Sequence, residues 1–242
     1  STPLYSSAAS DVYKRQVGPA KIAQAEAKAI RELKRDIEAT VASNNDRATE
    51  DGAGTANALR GLGDWLDSAG PSDVPATYRT PAASIEDVGA GPFLESELNS
   101  MISSVFTVTG NTNSLMLVAD VALRNDISEF ARLDAAGAAG ANVGVRSVNY
   151  DGNSGTIKLS VDLYQSDHGV VSIVNANPDC MPTTTPVNYT GYLLNPEYYG
   201  VHELIPMGST RLPNLGGGDR GFVDCALTLG MYHPGAHGKI TS

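Results

Sequence analysis

The sequence predicts an α+β fold, on three observations. Residues 19–43 carry an unbroken helical period of apolar side chains, residues 157–163 and 223–229 alternate apolar and polar residues with a period of two, and the order of these stretches holds no internal repeat. With 242 residues, 41% hydrophobic and 18% charged, the chain can bury a core and is globular. Aromatics are scarce at 6% and glycine is abundant at 25 residues, a balance that suits a loop-rich mixture of helices and strands better than a helical bundle.

Residues 1–16 are set apart from this fold. Residues 6–16 read SSAASDVYKRQ, which can be back-translated into the transposase adapter of short-read sequencing libraries. The expectation is that residues 1–16 are adapter-encoded, non-native and disordered. The protein proper then starts near Val17, its natural N-terminus missing, on a metagenomic fragment.

Gly18-Pro19 opens the first helix, because proline is tolerated in a first turn. Ile22, Ala25, Ala29, Leu33, Ile37 and Val41 recur at helical spacing, Lys34 and Glu38 pair outside, and Asn44-Asn45 ends the run. A second helix is expected over 55–66, with Leu59, Leu62 and Leu66 inward beside Trp65. Residues 67–92 hold Pro71, Pro75, Pro81 and Pro92 without a sustained period and read as a long loop. Helix returns over 93–106, with Leu94, Leu98, Met101, Ile102 and Val105 on one face.

Residues 115–119 then form a short buried strand, and Asp120 caps a helix carrying Leu123, Ile127, Phe130 and Ala131. The Ala/Gly-rich stretch 134–144 is a loop. Ile157, Leu159, Val161 and Leu163 alternate with Lys158, Ser160, Asp162 and Tyr164 as a half-buried strand, and Asp167-His168-Gly169 turns it into a partner over 170–174. A Pro/Thr loop (175–187), a segment over 192–198, a strand over 201–205, a turn at Gly216-Gly217-Gly218-Asp219 and a last strand through Val223, Cys225, Leu227 and Leu229 complete the chain.

The net charge of −10 and pI of about 4.7 exclude a protein that grips DNA by neutralising phosphates. The longest basic cluster, Arg31, Lys34 and Arg35, is interleaved with Glu32, Asp36 and Glu38 and reads as a solvated helix face. Cys180 and Cys225 have no CxxC spacing and are expected to be structural thiols in a reducing compartment. No apolar run reaches membrane-span length and no signal peptide is present, so the protein is expected in a cytosol.

Five constellations contain residue types that can do chemistry. His233 and His237 are four apart, a metal-ligand spacing on a helix, but Pro234-Gly235 disfavours the helix and no glutamate lies between them. Ser166-Asp167-His168 has the residue types of a catalytic triad, yet three neighbours in one turn cannot adopt its geometry. Gly216-Gly217-Gly218 lacks the Lys and Ser/Thr of a phosphate loop. His202 and Glu203 point to opposite faces of a strand. Asp162 and Asp167 are two carboxylates without a full ligand set. No catalytic, cofactor-binding or metal-ligating residue is assigned, and no cofactor is expected.

An ordered series of blocks carries a resemblance. It runs from Glu32-Leu33-Lys34-Arg35-Asp36-Ile37-Glu38 through Asn57-Ala58-Leu59-Arg60-Gly61-Leu62-Gly63-Asp64-Trp65-Leu66 and Glu97-Leu98-Asn99. It continues with Leu163-Tyr164-Gln165-Ser166-Asp167-His168-Gly169, Asn195-Pro196-Glu197-Tyr198, Gly218-Asp219 and Ala236-His237-Gly238. In order and spacing the chain resembles one branch of the tailed-bacteriophage major capsid proteins, formerly grouped only as a domain of unknown function. Cys225 departs from it, standing where an aromatic is usual.

The resemblance implies the Johnson fold of tailed-phage and herpesvirus shells. Residues 17–109 would hold the spine helix, second helix and long loop of the peripheral domain, 110–190 mainly the axial domain, and 191–242 the strands returning to the peripheral domain. It implies a structural subunit, not an enzyme, that assembles with itself into the hexamers and pentamers of an icosahedral head enclosing dsDNA. Portal, scaffolding or decoration proteins would be its partners, with assembly in the bacterial cytoplasm and the virion as destination. The alternatives are an α+β hydrolase or metal-dependent enzyme, or a phage decoration or scaffolding protein.

Overall fold

A 38-residue helix, α1 (Tyr5–Ala42), opens the chain. The computed structural model describes residues 5–89, 91–112, 114–130, 150–151, 156–157, 162–181, 190–213 and 220–241. Glu26, Ala29, Ile30, Leu33 and Ile37 are half-buried at steps of three and four, whereas Ala25, expected inward, is exposed. The helix also takes in residues 5–16, read from sequence as lying outside the fold. That stretch contains no helix breaker, although the run crosses Gly18-Pro19, where the proline ring removes one hydrogen bond of the ladder. Gly18-Pro19 accordingly sits inside the helix and does not open it.

After α1 come α2 (Leu62–Trp65), β1 (Ile85–Asp87), α3 (Glu95–Thr109), β2 (Leu115–Ala119), α4 (Val121–Glu129), β3 (Tyr150–Asp151) and β4 (Thr156–Ile157). They are followed by β5 (Leu163–Ser166), β6 (Gly169–Asn175), β7 (Gly191–Leu194), β8 (Tyr199–Leu212), β9 (Arg220–Met231) and β10 (Gly238–Thr241). The content is α+β. Two compact units emerge, Ser1–Glu38 with Val201–Thr228, and Ala39–Gly200 with Leu229–Ser242.

The second unit is built on a six-stranded mixed sheet in the order β1-β10-β7-β2-β6-β5. The β1/β10 and β2/β6 pairs are parallel, and the β10/β7, β7/β2 and β5/β6 pairs are antiparallel. Side chains alternate across a strand, so one strand can feed two cores. On β7, Leu193 enters a cluster with Leu98, Met101, Ile102 and Val105 of α3, Leu123 and Ile127 of α4, and Ile240 of β10. Its neighbours Tyr192 and Leu194 enter a second cluster with Ala42, Leu62, Leu66, Met181 and Leu229. Each fully buried Leu or Ile contributes roughly 2 kcal/mol by leaving water. The Tyr192 hydroxyl donates to the Ala42 carbonyl at 2.7 Å, and its burial pushes the phenol well above its ordinary value.

Several sequence expectations are corrected here. The helix expected over 55–66 is confined to Leu62–Trp65, because Ala58 pairs with Ala48 in a β-bridge and the Gly61 N–H donates to the Asn45 carbonyl. The loop expected over 67–92 contains β1, three residues recruited by β10. Phe93, not Leu94, is buried at the start of α3, while the Leu94 N–H donates to the Glu97 carboxylate at 2.7 Å. Asp120 stands at the N-cap of α4, but its carboxylate makes no capping hydrogen bond. At the start of β5 the expected facing is inverted, with Leu163 63% exposed and Tyr164 9% exposed. Ala131, residues 134–144, Lys158–Val161 and Gly216-Gly217-Gly218-Asp219 lie outside the described residues.

Candidate functional site

The residues with chemical potential are dispersed. His233 and His237 flank a 3-10 turn, Pro234–Ala236. Ser166, Asp167 and His168 form the β5–β6 turn, where the His168 carbonyl accepts from the Thr112 hydroxyl and its ring stacks on Phe106 at 5.5 Å. His202 and Glu203 are both exposed on β8. Asp162 is ion-paired with Arg124, so it is engaged away from Asp167, which is exposed. Cys180 is buried and Cys225 half-buried, and no disulfide joins them. Among the described residues no three His, Cys, Asp or Glu side chains converge on a metal position.

What the chain does bring together are the blocks that carry the resemblance, at three packing nodes. At the first, Arg60, 5% exposed, is gripped by carboxylates from three segments. Its Nη2 reaches Asp46 Oδ1 at 2.8 Å, its Nη1 reaches Asp73 Oδ1 at 2.8 Å, and its Nε lies 3.0 Å from Asp64 Oδ2. The single Nε proton is directed at Asp46, which leaves Asp64 Oδ2 ion-paired without an aligned hydrogen bond among the described residues. The guanidinium also lies over the Trp65 ring, 4.8 Å from its centroid.

The Arg60 hydrogen bonds hold the Asp46 and Asp73 carboxyls below the usual carboxylate range. Burial, then the Asp46 charge, pushes the Asp64 carboxyl up. The backbone follows the same packing: a Cβ at Gly61 would stand 2.0 Å from the Ser43 carbonyl oxygen, so only glycine lets the two segments meet. Lys239 of β10 completes the region, its Nζ donating to the Gly63 carbonyl at 2.9 Å and its pKa lowered by burial.

The second node joins the Tyr164 block to the Asn99 block. The Tyr164 hydroxyl lies 2.9 Å from Glu95 Oε1 and 3.1 Å from Asn99 Oδ1, which explains the inward turn of Tyr164 at the start of β5. Tyr164→Phe keeps the ring packed and removes the hydroxyl. It is expected to cost about 1 kcal/mol of stability in chemical denaturation. An unchanged denaturation midpoint would show the hydroxyl to be idle.

The third node joins Asn195-Pro196-Glu197-Tyr198 to Ala236-His237-Gly238. The Asn195 N–H donates to His237 Nδ1 at 3.0 Å, while the Asn195 Oδ1 accepts from the Glu197 N–H at 3.2 Å. His237 is fully buried, so the neutral ring carries its proton on Nε2, which makes no hydrogen bond among the described residues. Burial lowers its pKa to about 4, with the Tyr198 backbone pulling upward and His233 downward. The His233 ring stands edge-on to Tyr78 at 6.3 Å and to Tyr198 at 5.9 Å, and the Thr80 hydroxyl donates to the Pro234 carbonyl at 3.0 Å.

These nodes place the blocks' polar residues where they fasten distant segments. The family model described as SU10 major capsid protein matches residues 5–242. The chain belongs to the SU10 major capsid protein family. Among curated proteins none matches it.

A major capsid protein is a structural constituent of the virion, and the three nodes hold this chain's fold. Sequence reasoning missed Asp46 and Asp73 as partners of Arg60, because they lie 14 and 13 positions from it in irregular chain. It weighed His237 chemically as half of a metal pair and did not connect it with Asn195, 42 residues away. No helix among the described residues is long and apolar enough to cross a membrane.

Proposed function

We propose that the chain is the shell-forming subunit of a tailed-phage head, with the Johnson fold, assembling into hexamers and pentamers that enclose dsDNA. The observation that carries this reading is the family match over residues 5–242. The long helix α1 supports it as the spine helix of a peripheral domain spanning 17–109 and 191–242, with 110–190 mainly axial. The six-stranded sheet draws strands from all three spans, so these are regions of one structure and not independently folding parts.

A net charge of −10 suits a subunit that encloses DNA without gripping it in a sequence-specific way. Assembly takes place in the bacterial cytoplasm, with portal and scaffolding or decoration proteins as partners. Expressed together with the neighbouring head genes, the subunit is expected to form closed particles of uniform diameter in negative-stain images. Small soluble species alone, under conditions where the other head proteins fold, would overturn the reading.

A further inference from the structure

The strands β8 and β9 form a two-stranded ribbon, and both are rooted at the node of Asn195 and His237. β8 begins at Tyr199, directly after the 3-10 turn Pro196–Tyr198, and β9 ends at Met231, two residues before His233. The chain leaves the Ala39–Gly200/Leu229–Ser242 unit after Gly200 and re-enters it at Leu229, so the root belongs to that unit. Across the root the Tyr232 N–H donates to the Tyr198 carbonyl at 2.9 Å. His233 stands edge-on to Tyr198, and His237 edge-on to Tyr199 at 6.0 Å.

The acceptor that closes this corner can titrate. β7 and β10 pair as far as Leu193 opposite Gly238. Beyond that register the Asn195 N–H donates to His237 Nδ1 and not to a backbone carbonyl. A carbonyl accepts at any pH, but Nδ1 accepts only while the ring is neutral. Once the ring is protonated both its nitrogens are donors, and N–H faces N–H in a fully buried site.

The surroundings offer that charge no counter-ion. His233, in the same turn, opposes a second cation, and Tyr198 and Tyr199 contribute a backbone carbonyl and a neutral ring. Tyr78 lies against His233, the Thr80 hydroxyl is bound to the Pro234 carbonyl, and α3 presents Val108 beside Gly235 and Met101 beside Gly238. Glu197 is exposed, and the Lys239 ammonium is held by the Gly63 carbonyl. Among the described residues no carboxylate acts on the ring.

We propose that His237 is a proton-operated latch on the root of the β8–β9 ribbon, which acid opens locally over 195–199 and 231–237 while the six-stranded sheet stays closed. The inference stands apart from the capsid reading. A two-stranded ribbon is marginal by itself, so its root opens more readily than a six-stranded sheet with a core on each face. Closed, the ring titrates at about 4, and open it returns to about 6.5. Between those values the open root takes up a proton that the closed root refuses. Opening therefore rises as pH falls below 6.5 and levels off below 4. At about pH 5 the opening equilibrium should stand about 30-fold above its value at about pH 7.5.

The test is native-state hydrogen exchange by NMR on the full chain at those two pH values, with a series of low urea concentrations and intrinsic exchange rates divided out. The Asn195 and Tyr232 amides are expected to open about 30-fold more at the lower pH, with little urea dependence, because a local opening exposes little surface. Amides of β2, held between β6 and β7, should keep the urea slope of global unfolding at both pH values. His237→Asn should abolish the acid step at Asn195 and Tyr232. Root amides that share the urea slope of β2 would show that the root opens only with the whole fold, and would overturn the proposal. So would opening that is indifferent to pH, or an acid step that survives His237→Asn. The urea and pH readings need only the unsubstituted chain, so they decide even where the variant does not fold.

Discussion

Replacing Arg60 by Met is expected to lower the unfolding free energy by about 3 kcal/mol, at the low end of what breaking a buried ion pair costs. For a chain of this size that is a fall in melting temperature of roughly 6–12 °C by scanning calorimetry. Asp46 and Asp73 are partly open to water and can hydrate once the guanidinium is gone. Asp64, at 19% exposure, cannot do so fully and is left as a half-buried carboxylate beside Asp46. The loss should therefore be carried mainly by Asp64. Adding Asp64→Asn to Arg60→Met should recover a measurable part of it, because removing both ends of a buried pair is far milder than removing one. Arg60→Lys should rescue poorly, since an ammonium cannot serve three carboxylates and stack on Trp65 at once. If the double variant is no more stable than the single one, Arg60 acts through packing on Trp65 and not through its charge.

The parts of the fold legible in the sequence are those whose partners are close along the chain or whose burial is one-sided. Leu98, Met101, Ile102 and Val105 fall on one face of α3, so period identifies it, while β2 is a short apolar run identified by its length and the turn residues that bound it. The β5–β6 hairpin is legible from its turn, yet its facing is not. Tyr164 is drawn inward by Glu95 and Asn99, about 65 to 69 positions away, against the alternation of its own strand. The strands β1 (Ile85-Glu86-Asp87) and β10 (Gly238-Lys239-Ile240-Thr241) have little intrinsic β character and are strands because they pair with each other and β10 with β7. Tertiary pairing likewise overrides local propensity at Ala58, where helix formers are pulled into a bridge with Ala48. The strand expected over 201–205 is too short because Pro206 and Gly208 look like punctuation, though a ribbon with free edges tolerates both.

The candidate site follows the same division. The blocks that carry the family resemblance are visible as blocks, but each works through a residue in a different block or outside all of them. Arg60 needs Asp46 and Asp73, Tyr164 needs Asn99, and His237 needs Asn195. A single sequence supplies no signal for such pairings beyond residue type. That is why His237 invites a metal hypothesis when its ring nitrogen in fact accepts from a backbone N–H.

His237 should also set how the fold responds to acid. In the unfolded chain its imidazole titrates near 6.5, while in the fold burial holds it at about 4. Between those values the unfolded state takes up a proton that the folded state refuses, so stability falls as pH falls. The contribution is fully present above pH 6.5, declines through the window and is flat below pH 4, a total of up to about 3 kcal/mol. Asp64 and Glu86, both raised by burial, act with the opposite sign nearer the ordinary carboxylate range and soften the acid end of the curve. Asp46 and Asp73, both lowered, add their loss only below it. His237→Asn isolates the imidazole, because an Asn Oδ1 can accept the Asn195 N–H where Nδ1 did and does not titrate. Urea denaturation at about pH 7.5 and about pH 4.5 should show the unsubstituted chain losing markedly more stability than His237→Asn, whatever the variant's absolute stability. Parallel curves would mean that the buried imidazole takes up its proton without cost. A ring already protonated in the folded chain at about pH 5.5, read by NMR, would lead to the same conclusion.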